Sequence, residues 1–207
     1  MTTGTRFQGK AAIVTGGGSG IGAEISRQLA AEGASVVVTD IKLDSAQQVV
    51  DEITAADGAA VAFEQDTTDP DQSRAAVDFA VEQYGALHLA VNNAGIGGPA
   101  RPTGEYAIED WNKVVATNLS GVFYSMRYEL PAILASGGGA VVNMASILGT
   151  NGFAGSPAYV AAKHGVVGLT KTAALEYAAQ NVRSTRSAPA SSTPRCSATP
   201  TPRPVTT

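Results

Sequence analysis

Ser146, Tyr159 and Lys163 are the residues of this chain whose types and spacing could do acid/base chemistry together. Tyr159 and Lys163 stand at i and i+4 among the helix formers Ala158, Ala161 and Ala162. On a helix, that spacing puts both side chains on one face, a turn apart. An ammonium beside a phenol favours the phenolate. An unperturbed phenol titrates near pH ~10, so acid/base work near neutrality needs about 4 kcal/mol of differential stabilisation. One lysine rarely supplies that alone, and a bare Y-x-x-x-K is more often an ordinary surface pair. The assignment therefore depends on what the rest of the chain builds around it.

Residues 10–15 read as a short buried strand, and the turn Gly16-Gly17-Gly18-Ser19-Gly20-Ile21-Gly22 follows at once. Ile21, Ile25 and Leu29 then recur at helical spacing. A glycine-rich turn between strand and helix lets the backbone approach a ligand, and the helix start offers free N–H groups and a positive dipole end to a pyrophosphate. A second strand over 35–39 ends at Asp40. An acid about 20 residues beyond the turn can accept hydrogen bonds from the adenosine ribose of NAD and would repel the 2′-phosphate of NADP. The plain alternative is that Asp40 caps the next helix.

The pattern continues as a helix over 43–57, a strand over 59–65 closing at Asp66, a helix over 70–84 opened by Pro70, and a strand over 87–91 followed by Asn92-Asn93-Ala94-Gly95. A Gly- and Pro-rich loop covers 96–107, and one long helix is predicted from Ile108 to Ala135, with Asn118 inside it and Pro131 kinking it near its end. A fifth strand over 140–146 ends on Ser146, and the helix bearing Tyr159 and Lys163 runs to about Gln180. Alternating strands and helices with short loops predict an α/β fold: a Rossmann-like, doubly wound parallel sheet in a three-layer α/β/α arrangement.

The chain has 207 residues, 44% apolar and 15% charged, with net charge −4. That suits one soluble α/β domain and gives no reason to expect nucleic acid as a partner. No run approaches the ~18 apolar residues of a membrane span, and no signal peptide is evident. The single cysteine, Cys196, agrees with a reducing cytoplasm. With only His88 and His164 and no Cys/His cluster, no metal site is expected; the strand-end His88 reads as a satisfied surface residue and His164 as structural.

Thr15-Gly16-x-x-x-Gly20-x-Gly22, Asn92-Asn93-Ala94-Gly95, Asn118, Ser146 and Tyr159-x-x-x-Lys163 together resemble the short-chain dehydrogenase/reductases over residues 7 to about 183. The resemblance implies an NAD-dependent oxidoreductase acting on a secondary alcohol or ketone, in a homodimer or homotetramer. It implies that Thr15, Gly16, Gly18, Ser19, Gly20, Ile21 and Gly22 hold the cofactor pyrophosphate region. It assigns the adenine ribose to Asp40, the adenine to Asp66, and the cofactor lining after the fourth strand to Asn92, Ala94 and Gly95. Ser146 would orient the substrate oxygen and Tyr159 would be the general acid/base. Lys163 would assist Tyr159 and bind the nicotinamide ribose, and Asn118 would hold a proton-relay water. The chemistry agrees: two hydroxyls can donate to the oxygen on which charge develops.

The chain departs from the family after Arg183. Residues 184–207 hold eleven Ser or Thr, five of the ten prolines, three arginines and no acid. Such a segment predicts an irregular tail. The expected organisation is an incomplete catalytic domain over 1–183, lacking its C-terminal strands, and a tail over 184–207. GC-rich codons can be chosen for Arg183 to Arg195 that, read one base earlier, spell Val-Asn-Ala-Val-Gly-Pro-Gly-Val-Ile-Asp-Thr-Pro, which resembles the family's next strand and Pro-Gly loop. A frame-shifted C-terminus is therefore an expectation. Two alternatives stand beside the enzyme: a dinucleotide-binding domain without turnover, and an interaction subunit.

Overall fold

A computed structural model describes residues 6–188. Strand β1 (Ala11–Thr15) leads through the glycine turn to α1 (Gly20–Ala31), then come β2 (Ser35–Asp40), α2 (Leu43–Ala55), β3 (Ala59–Glu64), α3 (Pro70–Tyr84) and β4 (Leu89–Asn92). Helix α3 starts where Pro70 predicts. The Asp69 carboxylate accepts from the Asp71 N–H at 2.8 Å, and Gly85 ends the helix at φ 73°.

All pairings are parallel, in the order β3-β2-β1-β4-β5-β6, where β5 is Gly139–Met144 and β6 is Val182–Ser187. The order reverses between β1 and β4, so the loops at their C-terminal ends diverge and leave a crevice. Side chains alternate across the sheet. Ile13 and Val37 face α3, α5 (Gly121–Ala135) and α6 (Pro157–Tyr177), while Ala12, Val14, Val36 and Val38 face α1 and α2. Both faces of the central strands β1 and β2 are covered, which is why these two strands are near-continuous apolar runs rather than alternating.

The predicted long helix is divided. Helix α4 (Ile108–Val115) passes into a π-helical turn, Ala116–Ser120, before α5 begins. Asn118 is buried at the centre of that turn. Pro131 stands inside α5, which continues to Ala135.

The expectation that the sheet stops at β5 is corrected. Val182–Ser187 pairs with β5 in parallel, with Val141 beside Ser184 and Asn143 beside Arg186. Backbone pairing needs no particular side chain, and it covers an otherwise open edge of β5. Val182 is buried; Ser184 is also buried, with a hydroxyl that has no hydrogen-bond partner. The expected boundary after Arg183 falls inside this strand. Most of the expected irregular tail, residues 189–207, lies outside the described residues. Among the described residues, no helix is long and apolar enough to cross a membrane.

Candidate active site

Every sequence-predicted site residue except those on helices lies at or just beyond the C-terminal end of a strand. Gly16 follows β1 with φ 60°, a conformation costly for any side chain, and a Cβ there would lie 2.9 Å from Ala94 Cα. Gly22, in the first turn of α1, packs so closely that a Cβ would collide with the Gly16 carbonyl oxygen. These two positions press the β1 turn, the β4 loop and α1 together. Gly18 donates its N–H to Asp40 Oδ2 at 3.1 Å. Ser19, Gly20 and Ile21 are exposed at the start of α1, where no acidic residue occupies the first turn. The positive helix end therefore faces solvent with no acid in its own first turn.

Thr15 is buried, and its Oγ1 accepts from the N–H groups of Asn93 and Ala94 at 3.0 and 3.2 Å. Asn93 returns the contact, donating from Nδ2 to the carbonyls of Thr15 and Gly16 at 3.1 and 3.0 Å. Asp40 ends β2 half-buried, its other oxygen accepting from the Lys42 N–H at 3.1 Å. Asp66 is half-buried beyond β3, and its Oδ1 accepts from the Thr68 N–H and hydroxyl at 2.9 and 2.8 Å.

The candidate acid/base residues come from three elements: the π-helical turn, the end of β5 and α6. Asn118 bonds both main-chain groups of Ile96: Oδ1 accepts from the N–H at 2.8 Å and Nδ2 donates to the carbonyl at 2.7 Å. A Cβ on Gly95 would lie 3.2 Å from Asn118 Oδ1 and 3.8 Å from Lys163 Nζ. Lys163 is 4% exposed and donates to the Met144 carbonyl at 2.6 Å, and burial pushes its pKa down to about 8. Its Nζ lies 5.6 Å from the Tyr159 ring centroid. Ser146 follows β5 in extended backbone, half-buried, with its Oγ accepting from the Leu148 N–H at 3.2 Å.

The family model for short chain dehydrogenases matches residues 10–199. The chain belongs to that family. It is 57% identical over 178 residues to the cyclohexanol dehydrogenase of Acinetobacter sp. (strain SE19), covering 86% of this chain and 71% of that one. It is 40% identical over 186 residues to the cis-4-hydroxycyclohexanecarboxylate dehydrogenase of Sinomonas cyclohexanicum, covering 90% and 74%. Among solved structures, the carveol dehydrogenase of Mycobacterium avium in complex with NAD superposes with a TM-score of 0.87 at 30% identity, over 89% of this chain and 72% of that one.

Within this dehydrogenase fold, one site expectation changes character. Asn92 is 2% exposed, and its Nδ2 donates to Glu129 Oε2 at 2.9 Å and Asn143 Oδ1 at 3.0 Å. Its side chain supports the sheet rather than lining the cofactor groove, because both N–H groups are already bonded inside. Sequence reasoning missed Glu129, Asn143 and Thr170, which build this buried set, and the bridging role of Asn93. Asn143 had a signal, as a polar residue in an otherwise apolar strand; Glu129 had none. His88, read as a surface residue, is half-buried: its Nδ1 accepts from the Ala11 N–H at 3.1 Å, and burial beside Lys10 lowers its pKa. His164 is exposed on α6. Among the described residues no group of three His, Cys, Asp or Glu could hold a metal ion.

Proposed function

We propose that this chain is an NAD-dependent oxidoreductase that interconverts a secondary ring alcohol and its ketone. The observation that carries this reading is the convergence of Gly95, Asn118 and Lys163 between the ends of β4 and β5, beside Ser146 and Tyr159.

The residues present fit a dinucleotide. The glycine turn leaves space over Gly20, where nothing lies within 4 Å of a Cβ position. Ser19, Gly20 and Ile21 would hold the pyrophosphate at the start of α1, Asp40 the adenine ribose, Asp66 the adenine, and Ala94 and Gly95 the portion nearer the nicotinamide. Asp40 favours NAD over NADP through charge repulsion. When bound, the cofactor supplies the hydride acceptor or donor. The chain's own groups do the rest. Ser146 Oγ–H donates to the substrate oxygen, and Tyr159 passes or takes the proton at that atom. The Lys163 ammonium, charged below about pH 8, favours the phenolate form of its neighbour.

A ring alcohol is supported by the two relatives named for cyclohexane alcohols and by exposed apolar Ile147 and Phe153 beyond Ser146. A second reading, NAD binding without turnover, is favoured by the polar, poorly satisfied β6. NADH and NADPH dissociation constants, measured beside NADH formation from cyclohexanol and linear secondary alcohols, separate the two. Ring-alcohol turnover supports the first reading, and binding without turnover the second. Tighter NADPH binding would remove the role given to Asp40.

We also propose a cytoplasmic homodimer or homotetramer, paired through the helices at 108–135 and 155–180. Exposed Phe123 and Leu175 lie on those helices. Light scattering at micromolar concentration that finds only monomer would count against it.

A further inference from the structure

Glu129 is the one carboxylate among the described residues that is buried almost completely, at 1% exposure, and it stands outside the acid/base set. It sits on α5 with its Oε2 accepting from Asn92 Nδ2 at 2.9 Å, while its Oε1 has no partner. Asn92 Oδ1, also buried, has no partner either. These two orphan oxygens belong to residues already bonded through their other atoms. An ionised carboxylate would leave both as unmatched acceptors. One proton on Glu129 Oε1 would make it a donor and Asn92 Oδ1 its matching acceptor, which together with the Asn92 Nδ2–Oε2 bond would make a two-bond acid–amide pair.

The pair is the start of a longer buried chain. Asn92 Nδ2 also donates to Asn143 Oδ1 at 3.0 Å, and Asn143 Nδ2 donates to Thr170 Oγ1 at 2.9 Å. The connection therefore runs α5, β4, β5, α6. Those elements carry Ala94 and Gly95, Ser146, and Tyr159 with Lys163, and α5 continues from the turn that holds Asn118.

We propose that Glu129 is a positioning residue for the dehydrogenase site: as a neutral acid paired with Asn92, it fixes the ends of β4, β5 and α6 relative to one another. Burial, opposed only by the hydrogen bond from Asn92, pushes its pKa up to about 7, in agreement with the protonated pairing. No ion pair reaches it among the described residues. On the elements packed with it, the partly or fully buried titratable groups are Tyr84 on α3, His88 ahead of β4, Tyr124 and Tyr128 on α5, and Tyr159, Lys163 and Tyr177 on α6. The charged side chains of α3 and β6 are exposed, and β5 carries none.

The sign of the pH effect follows. An acid whose pKa rises from its ordinary 4.5 to about 7 on folding binds more protons folded than unfolded between those values. Stability falls as pH rises through that window and is level above it. Glu129→Gln reproduces both bonds at every pH and has no charge to bury.

The inference rests on the proposed function only in its cofactor arm. Thermal melts of the full chain and of Glu129→Gln should nearly coincide near pH 5. The Gln variant should then gain roughly 5–10 °C on the parent by about pH 8. NADH affinity of the two should agree near pH 6, and by about pH 8 the parent should bind several-fold more weakly than Glu129→Gln. Glu129→Met, which removes the acceptor, should bind about ten-fold more weakly at both pH values. If Met at this position prevents folding, the parent–Gln comparison decides alone. Parallel melting curves across the pH range would overturn the inference. A chain that binds no NADH at all fails the functional reading but leaves the melting comparison intact.

Discussion

Tyr159 and Ser146 are each half-buried, while Lys163 between β5 and α6 is fully enclosed. The division is chemically sensible, because a proton donor must reach substrate whereas a supporting charge gains strength from a low dielectric. Lys163 is anchored by the Met144 carbonyl, so its ammonium cannot swing away from the tyrosine ring. Tyr159→Phe keeps that ring and removes only the transferable proton. Its kcat is expected to fall about 10²–10⁴-fold while the NADH dissociation constant stays within a few-fold. Steady-state kinetics beside calorimetry measure both, and a near-normal kcat would move the acid/base role elsewhere.

At the scale of elements, the cleft exists because three connections are locked to each other. The β1 turn is tied to the β4 loop through Thr15 and Asn93, and that loop is tied to the π-helical turn through Asn118 and Ile96. A π-helical turn widens the helix locally and is frequent at functional sites; here it carries Asn118 between α4 and α5. The tightest point is Gly22 against Gly16. Gly22→Ala must displace backbone, costing about 1–3 kcal/mol, and should weaken NADH binding about ten-fold or more. Gly104→Ala, with nothing within 4 Å of its Cβ position, serves as the control. Equal NADH affinity in both variants would show that the close approach does not shape the cofactor groove.

For the whole molecule, the informative element is β6. Its backbone pairs along β5, yet the inward positions after Val182 are Ser184, buried without a partner, and Arg186, exposed. A strand with good pairing and poor side chains agrees with the frame-shift proposal, in which position 184 would read Val. Ser184→Val should stabilise the fold by about 1 kcal/mol, a rise of roughly 2–4 °C in melting temperature. An unchanged or lower Tm would mean that the site accepts the hydroxyl. Resequencing the gene across the Arg183 codon, with an intact mass, tests the shift directly. An in-frame gene giving the 21.0 kDa chain with full dehydrogenase activity would refute it.

The order and type of elements from β1 to β5 were legible in the chain, because each was written in local terms: apolar runs, helical spacing, and Gly or Pro at the breaks. The sequence pointed to the family and marked Ser146, Tyr159 and Lys163 as candidates for the same reason, since spacing along one helix and position at a strand end are local facts. It placed Asn118 in a helix without showing that the helix opens into a π turn. The pairing of β6 and the buried set of Glu129, Asn92, Asn143 and Thr170 came only with the folded arrangement. Strand pairing at a sheet edge is driven by a neighbour's unpaired backbone, which a polar sequence does not announce. A lone glutamate on a helix reads as a solvent-facing residue. Only the packing of α5 over β4 and β5 turns it inward, removes its water, and makes its proton part of the structure.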